Sequence, residues 1–345
     1  MNNRYEIRNP KNSKEFSEGI KLAQDIFGKK NPNYFFKKNK FDNVVIIKDI
    51  KDDIIIGFAI NIIRISKIYN KYIKVAFISS ICIHKNYRKL GLSILLIEKS
   101  IQNLKKHNIV IAYVIARKKL NYYYNQLNFF GVSSFPKLVI KKNFFENIIS
   151  NKKIISSNVN KEDLFYVNNI YSKVYVTING FFKRSNSYWE FIFIKCRHQN
   201  ISFKKYILNN KIVGYAVYLN NEIYEIATNN KIFYNLILKN FSKKLLSKNI
   251  LFFVNNSHEM NGEFINMDIK YSYRRINYGG HLMKIIDMPL LIKIYNNNQI
   301  SVINNKFTNN PKKFISYFIK SNIYSGFDNN TLNKQDFYIN TLDQI

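Results

Sequence analysis

Cysteine is scarce in this sequence of 345 residues, where Cys82 and Cys196 are the only two. Two thiols do not make a disulfide framework in a chain of this size, and neither has the spacing of a metal ligand. No run approaches the roughly 18 to 20 apolar residues of a membrane span. Residues 1–16 contain no apolar core that could serve as a signal peptide. We therefore predict a cytoplasmic protein with no membrane span and no bound metal.

Acidic residues are also few: 22 Asp and Glu stand against 54 Lys and Arg, a formal net charge of +32. Such an excess could attract nucleic acid or another polyanion. The lysines, however, are spread along the whole chain. Lys, Asn, Ile, Tyr and Phe are enriched together, while Gly and Pro number 11 and 5. The enriched types share A+T-rich codons, so we attribute the charge to codon drift and expect no specific nucleic-acid partner.

The length favours two domains, because single cores usually split above about 250 residues. Hydrophobic periodicity in the first half predicts the order strand, helix, three strands, helix, strand, helix, strand. The predicted strands are 5–8, 44–48, 54–65, 73–84, 109–115 and 138–142, and the predicted helices are 13–27, 92–104 and 120–127. In this interpretation the strand 138–142 closes the first unit.

The second half echoes part of this plan. Its predicted helices are 163–171, 188–194, 232–246 and 290–295, the last capped by Asp287, and its predicted strands are 204–208, 212–219, 223–227, 250–255 and 281–286. Beyond residue 295 we predict a strand at 300–307 and a helix at 312–319.

A loop of distinct chemistry follows the third of the three consecutive strands. It reads Arg88-Lys89-Leu90-Gly91-Leu92-Ser93 and leads directly into a helix. A strand that runs into a glycine turn and a helix presents free backbone N–H groups at a positive helix end, which suits phosphate. Gly91 permits close approach of a ligand to the backbone. The loop therefore predicts a pyrophosphate site.

The sequence here resembles the GNAT superfamily of acyltransferases, whose loop is Gln/Arg-x-x-Gly-x-Gly/Ala. Arg88 and Gly91 match this pattern, and Ser93 replaces the small final residue. The family's second motif is Phe-Tyr-x-x-x-Gly-Phe. It is similar to the stretch from Tyr123 to Phe129, in which Asn128 stands in for glycine, a replacement that the left-handed conformation tolerates.

The resemblance implies a site for acetyl-CoA. Backbone groups of Ile81, Cys82 and Ile83 would pair with its pantetheine arm, and backbone amides of Arg88, Lys89, Leu90, Gly91, Leu92 and Ser93 would hold its pyrophosphate. Tyr124 would protonate the leaving thiolate, the alternative being a packing role among neighbouring tyrosines. The resemblance does not settle the general base. Ser79 and Ser80 could relay a proton through water, while His84 and Glu98 are weaker candidates.

The second half has no counterpart of the loop, because Thr228-Asn229-Asn230-Lys231 follows its third strand. Three stretches, at 184–189, 211–217 and 279–289, resemble tandem-GNAT proteins related to the enhanced-intracellular-survival acetyltransferases. The resemblance implies a mixed α/β (α+β) fold: tandem GNAT units, each a mostly antiparallel twisted sheet flanked by helices. We assign residues 1–150 to a catalytic domain and 151–295 to a degenerate one. Residues 296–345 form an extension, interpreted as a reduced sterol-carrier-like remnant.

These observations together predict an N-acetyltransferase that uses acetyl-CoA and no metal. The acceptor would be a primary amine on a small molecule or a peptide, and a homo-oligomer stays open. Two alternatives are an N-myristoyltransferase-like enzyme, which the run from Cys82 to Arg88 also resembles, and a non-catalytic CoA-binding protein.

Overall fold

Two β-sheets flanked by helices make up the fold in a computed structural model of the protein. The structure describes residues 4–28, 41–69, 71–117, 120–133, 137–146, 148, 152–253, 258–260, 271–274, 278–295 and 310–319. Over these ranges no helix is long and apolar enough to cross a membrane. The same part of the chain holds no group of three or more His, Cys, Asp or Glu side chains placed to bind a metal ion.

The strands of the described residues are β1 (Tyr5–Arg8), β2 (Val44–Asp49), β3 (Ile54–Ile68), β4 (Lys71–Ile83), β5 (Ile111–Arg117), β6 (Phe130–Ser133), β7 (Lys137–Lys141), β8 (Ile155–Asn158), β9 (Phe181–Lys183), β10 (Ser202–Leu208), β11 (Lys211–Leu219), β12 (Glu222–Thr228), β13 (Asn249–Phe252), β14 (Tyr271–Arg274) and β15 (Tyr278–Ile285).

The helices of the same residues are α1 (Ser13–Phe27), α2 (Leu92–Lys106), α3 (Asn121–Gln126), α4 (Asn143–Glu146), α5 (Leu164–Tyr175), α6 (Asn186–His198), α7 (Ile232–Ser242), α8 (Met288–Tyr295) and α9 (Pro311–Ile319). The predicted cap of α8 is confirmed, because the Leu290 N–H donates to Asp287 Oδ1 at 2.9 Å. The predicted helix at 312–319 is confirmed as α9, whereas the predicted strand at 300–307 lies outside the described residues.

The first sheet has the strand order β1-β2-β3-β4-β5-β15-β6, and β9 adds to β3 beyond the end of β2. The pair β4–β5 is parallel and its other pairs are antiparallel. Val44 and Ile46 face one core, and Val45 and Ile47 face the other. Such continuous apolar runs are expected in strands covered by helices on both faces.

The second sheet repeats this pattern in the order β14-β7-β13-β12-β11-β10-β8, with the parallel pair β12–β13. Helices α4 and α7 pack on one of its faces, and α5 and α6 on the other. The chain therefore has a mixed α/β fold of two similar sheets flanked by helices, which confirms the predicted fold class.

The two sheets exchange one strand each. Strand β15, from the second half, lies between β5 and β6 with Leu282 opposite Val114. Strand β7, from the first half, lies between β13 and β14 with Ile140 opposite Ile250. The sequence predicts both segments as strands, and both are strands. Their assignment to their own halves is wrong, because each fills the gap beside the parallel pair of the other sheet.

This exchange bears on the domain ranges 1–150, 151–295 and 296–345, which stay predictions. The hydrogen-bonded sheets do not divide at residue 150, since β7 precedes that position and its partners among the described strands, β13 and β14, belong to the second sheet. Helices α8 and α9 also return to the first sheet. Leu291 and Phe314 are buried there with α1, on the face opposite α2.

Candidate active site

The parallel pair of the first sheet opens into a split. Strands β4 and β5 pair from Val75 opposite Ile111 to Phe77 opposite Tyr113, and no further pair follows among the described residues. Both strands continue, β4 to Ile83 and β5 to Arg117. Backbone groups along the last residues of β4 are thus left without a strand partner on the β5 side. An extended ligand can fill that place as an added strand would.

A bulge in β4 marks the start of the split. Phe58 lies opposite Cys82 and Ile60 opposite Ser79, so two residues of β4 face one of β3. Ser80 has a φ of 52°, in the left-handed region. A bulge of this kind bends the strand and re-aims its backbone groups. In this fold it turns Ile81, Cys82 and Ile83 toward the cleft described next.

The loop after β4 joins the strand to the N-terminus of α2. Lys89 and Gly91 both have positive φ, 68° and 72°, and Gly91 is the N-cap of α2. Arg88 is exposed, and its Nε donates to the Ile83 carbonyl oxygen at 3.3 Å, which anchors the loop to the strand end. A Cβ added at Gly91 would meet no atom within 4 Å, so the space above this residue is open to a ligand.

A cleft of about 380 Å³ lies between the strand end, the loop and the first turn of α2. Eight of the nine predicted CoA-binding residues line it, namely Ile81, Cys82, Ile83, Arg88, Lys89, Gly91, Leu92 and Ser93. Leu90 does not line it, and its side chain is exposed. The structure therefore gathers in one place the residues that the loop motif singled out.

The helix that opens the cleft lacks a side-chain cap. Gly91 has no side chain to accept from the N–H groups of Leu92 and Ser93, which stay available to an anion, whereas the Ile94 N–H donates to the Gly91 carbonyl oxygen. The equivalent turn of the second sheet differs. There Asn230 Oδ1 accepts from the Ile232 N–H at 3.1 Å, at the start of α7. In the second sheet a side chain of the turn thus accepts from an N–H group at the helix start, whereas in the first sheet no side chain of the turn does so.

Helix α3 borders the cleft opposite the loop. Tyr123 lines the cleft and donates from its phenol to Ser93 Oγ at 2.9 Å. Tyr124, the predicted acid, is only 7% exposed and packs with Phe129 behind the lining. The rings of Tyr123 and Tyr124 are in edge contact, with centroids 5.1 Å apart. Burial raises the pKa of both phenols, so both are protonated at neutral pH.

Cys82 lies within the cleft but is almost fully buried. Burial raises the pKa of its thiol to about 12. Because the thiolate is the nucleophilic form, this cysteine is inert at neutral pH. Its role is that of a small apolar wall residue, as its alternation along β4 predicts.

The candidate bases occupy different places. Ser79 and Ser80 lie at the bulge, half-buried, beside the opening of the split. His84 follows the end of β4, and its ring contacts the ring of Tyr87, with centroids 5.8 Å apart. Glu98 is exposed on α2, away from the cleft lining. No carboxylate is among the described residues that line the cleft.

Sequence reasoning missed three residues of the lining: Tyr87, Ile94 and Tyr123. A signal was available for Ile94, because it lies one position past the loop motif in the first turn of α2. For Tyr123 the motif supplied an aromatic position, but a motif with two consecutive aromatic residues does not say which ring faces the ligand.

The comparison with protein families addresses the same part of the chain. The family model of the acetyltransferase (GNAT) domain matches residues 6–129. These residues form a GNAT domain. The match runs from β1 to the end of α3, so it includes the split, the bulge and the loop. The chain is accordingly an enzyme of the acyltransferase class with an N-acetyltransferase domain.

Solved structures extend the likeness beyond the matched domain. The GCN5-related N-acetyltransferase from Anabaena variabilis has a TM-score of 0.67 at 12% identity, over 84% of this chain and 75% of that one. Eis1 from Mycobacterium abscessus has a TM-score of 0.63 at 10% identity, with the same coverage. At such identities the likeness establishes the fold alone.

The rival family is less similar in fold. The N-myristoyltransferase from Saccharomyces cerevisiae, solved with bound myristoyl-CoA, has a TM-score of 0.51 at 13% identity, over 81% of this chain and 80% of that one. No curated protein matches the sequence significantly.

Proposed function

We propose that this protein transfers the acetyl group of acetyl-CoA to a primary amine of a small molecule or a peptide. The observation that carries the proposal is the β4–β5 split, which leads into a cleft at the uncapped N-terminus of α2. The split suits an extended arm, and the helix end with Arg88 and Lys89 suits a diphosphate. Acetyl-CoA combines these two parts with a reactive thioester.

The reaction needs little from the protein beyond placement and proton transfer. The acceptor nitrogen attacks the acetyl carbon, the carbon–sulfur bond breaks, and sulfur leaves with the electron pair. One proton must reach that sulfur, and one must leave the nitrogen. Holding both substrates in line supplies much of the rate.

We assign the proton donor to Tyr124. Its phenol carries a proton at neutral pH because burial raises its pKa, and the transfer requires this ring, which packs behind the lining, to reach the sulfur. For the nitrogen proton we assign a water held at Ser79 and Ser80, since the described lining offers no carboxylate.

Titration calorimetry with acetyl-CoA tests the donor site, and Gly28 offers a matched control for a substitution at Gly91. Both glycines have positive φ, 72° at Gly91 and 84° at Gly28, and a Cβ added at either would meet no atom within 4 Å. Gly91→Val should abolish acetyl-CoA binding because it strains the loop and fills the approach to the backbone. Gly28→Val bears similar strain at the end of α1 and should bind as the wild type does.

Turnover is tested by screening amines with acetyl-CoA and detecting the released thiol. Thiol release that depends on an amine supports the acetyltransferase. Binding without release across a broad panel would favour a non-catalytic CoA-binding protein, and preference for myristoyl-CoA would favour the rival enzyme. If the wild type binds no acetyl-CoA, the proposed function is wrong.

A further inference from the structure

The hydrogen bond between Tyr123 and Ser93 crosses the cleft at the diphosphate end. Ser93 is the second residue of α2, and its side chain lines the cleft together with Gly91 and Tyr123. The Tyr123 phenol donates and Ser93 Oγ accepts, at 2.9 Å. A serine hydroxyl has one proton and two lone pairs. With one lone pair engaged by Tyr123, the Ser93 proton remains to be donated elsewhere.

The position of Ser93 fixes what that proton can reach. It lies in the first turn of α2, where the Ile94 N–H donates to the Gly91 carbonyl oxygen at 3.0 Å and the N–H groups of Leu92 and Ser93 have no acceptor within the helix. Any anion bound by those N–H groups comes within reach of a side chain in the same turn. Donation to a charged phosphate oxygen is also the stronger kind of hydrogen bond. A chain of two hydroxyls polarises each member and strengthens the second donor.

We infer that Ser93 is a side-chain ligand of the diphosphate and that Tyr123 is its positioning residue. This inference rests on the proposed function, because it takes the ligand to be a CoA ester. It adds to the backbone cradle a specific side-chain donor, aimed by a phenol on the facing helix.

The facing helix is held firmly enough to aim a donor. Helix α3 has only six residues, too few to be stable alone, so contacts at its ends must fix it. After its last turn, Lys284 Nζ donates to the Leu127 carbonyl oxygen at 2.8 Å. Lys284 belongs to β15, the strand exchanged from the second half. The Tyr123–Ser93 bond ties the other part of α3 to α2.

The test compares acetyl-CoA with S-acetylpantetheine, which lacks the diphosphate, in binding titrations. Ser93→Ala should weaken acetyl-CoA binding about tenfold, as expected for a lost hydrogen bond to a charged group. Tyr123→Phe should weaken it about threefold, because the serine keeps its proton but loses its orientation. The double variant should match Ser93→Ala alone, since Tyr123 acts through Ser93. S-acetylpantetheine should bind equally to all of them.

Two further variants separate this role from a structural one. Ser93→Thr keeps the hydroxyl and should bind acetyl-CoA within about twofold of the wild type. Tyr122→Phe removes a phenol from the same helix, but Tyr122 is exposed and outside the lining, so binding should not change. Melting temperatures without ligand establish that each variant is folded.

The outcomes distinguish the two claims. If Ser93→Ala binds acetyl-CoA as tightly as the wild type does, the inference is wrong and the proposed function still holds. Equal weakening toward both ligands also overturns it, because the effect would then be a distortion of the cleft. Failure of the wild type to bind acetyl-CoA overturns the proposed function itself.

Discussion

At the residue scale, two adjacent tyrosines have different surroundings on one short helix. Tyr123 faces the cleft and Tyr124 packs behind it against Phe129. We predict that Tyr124→Phe lowers turnover by about 100-fold, the lower range for loss of a general acid, because the thiolate loses its proton donor. The dissociation constant of acetyl-CoA should stay within about twofold. Steady-state kinetics with the best amine from the screen, together with calorimetry, measure both quantities.

Tyr122→Phe is the control for this prediction, because Tyr122 precedes both residues on the helix and its ring is exposed. It should leave turnover unchanged. Equal loss in Tyr122→Phe and Tyr124→Phe, or full activity in Tyr124→Phe, would contradict the assigned role of Tyr124.

A second residue-scale prediction concerns His258, which is buried between the rings of Tyr175 and Tyr234. Burial lowers its pKa from 6.5 to about 4. Between these two values the unfolded chain binds a proton that the folded chain does not. The free energy of unfolding should therefore fall as pH drops from 6.5 toward 4, by up to about 1.4 kcal/mol per pH unit.

Urea unfolding at several pH values measures that slope. His258→Gln should reduce it, because glutamine does not titrate. His198 is exposed on α6, and His198→Gln should keep the slope of the wild type. An unchanged slope in His258→Gln would mean that other groups cause the pH dependence.

At the element scale, a buried ion pair joins the two sheets. Arg184 follows β9, which belongs to the first sheet, and Glu225 lies on β12 of the second. Their side chains are fully buried and form two hydrogen bonds, of 2.9 and 2.7 Å. We predict that Glu225→Ala lowers the free energy of unfolding by about 3 to 5 kcal/mol, because the buried charge of Arg184 loses the carboxylate that it faces.

An exposed ion pair supplies the comparison. Lys161 Nζ lies 3.3 Å from Glu190 Oε1, and the side chain of Lys161 is largely exposed. Glu190→Ala should cost less than about 1 kcal/mol in denaturant unfolding. If both substitutions had the same small effect, Arg184 would have to find another partner in the variant.

The elements themselves were largely predictable, since local signals set most of them. Helix α1 has the predicted bounds, and its end at Gly28 follows from the left-handed φ of 84°. Helix α6 begins before the predicted residue 188, because Ser185 Oγ accepts from the Tyr188 N–H at 3.3 Å and caps it. Helix α7 ends at Ser242, earlier than the predicted residue 246.

At the scale of the whole molecule, the exchanged strands couple the two halves. Each sheet is complete only when the other half supplies a strand, so neither core can unfold without exposing the other. We predict one cooperative unfolding transition for the chain. Acetyl-CoA, bound at the first sheet, should then stabilise the second half as well. At about 100 times its dissociation constant the ligand adds roughly 2.7 kcal/mol.

Trp189 makes this measurable, because it is the only tryptophan and is buried in the core of the second half. Its fluorescence reports the second half, whereas circular dichroism reports the whole chain. Both midpoints should coincide, and acetyl-CoA should shift them equally. A shift in circular dichroism with no shift in the Trp189 signal would show that the halves unfold independently.

The sequence by itself determined the loop and most of the elements of this protein; the short elements β6, β8, β9, β14 and α4 were not predicted. Hydrophobic periodicity and helix caps involve residues three or four positions apart, so they can be predicted from the sequence alone. The cleft lined by Arg88 and Gly91 follows from the same local order of strand, glycine turn and helix. These features account for the GNAT fold and for eight of the predicted CoA-binding residues.

The tertiary structure alone decided which sheet β7 and β15 join and which tyrosine faces the ligand. Strand β15 pairs with β5 across more than 150 positions of sequence, a distance over which no local pattern indicates a partner. The orientation of α3 decides which of Tyr123 and Tyr124 faces the cleft, and Lys284 of the exchanged strand helps to fix that orientation. Strand pairing and ring orientation depend on how the whole chain packs, because they result from contacts between segments that are far apart in the sequence.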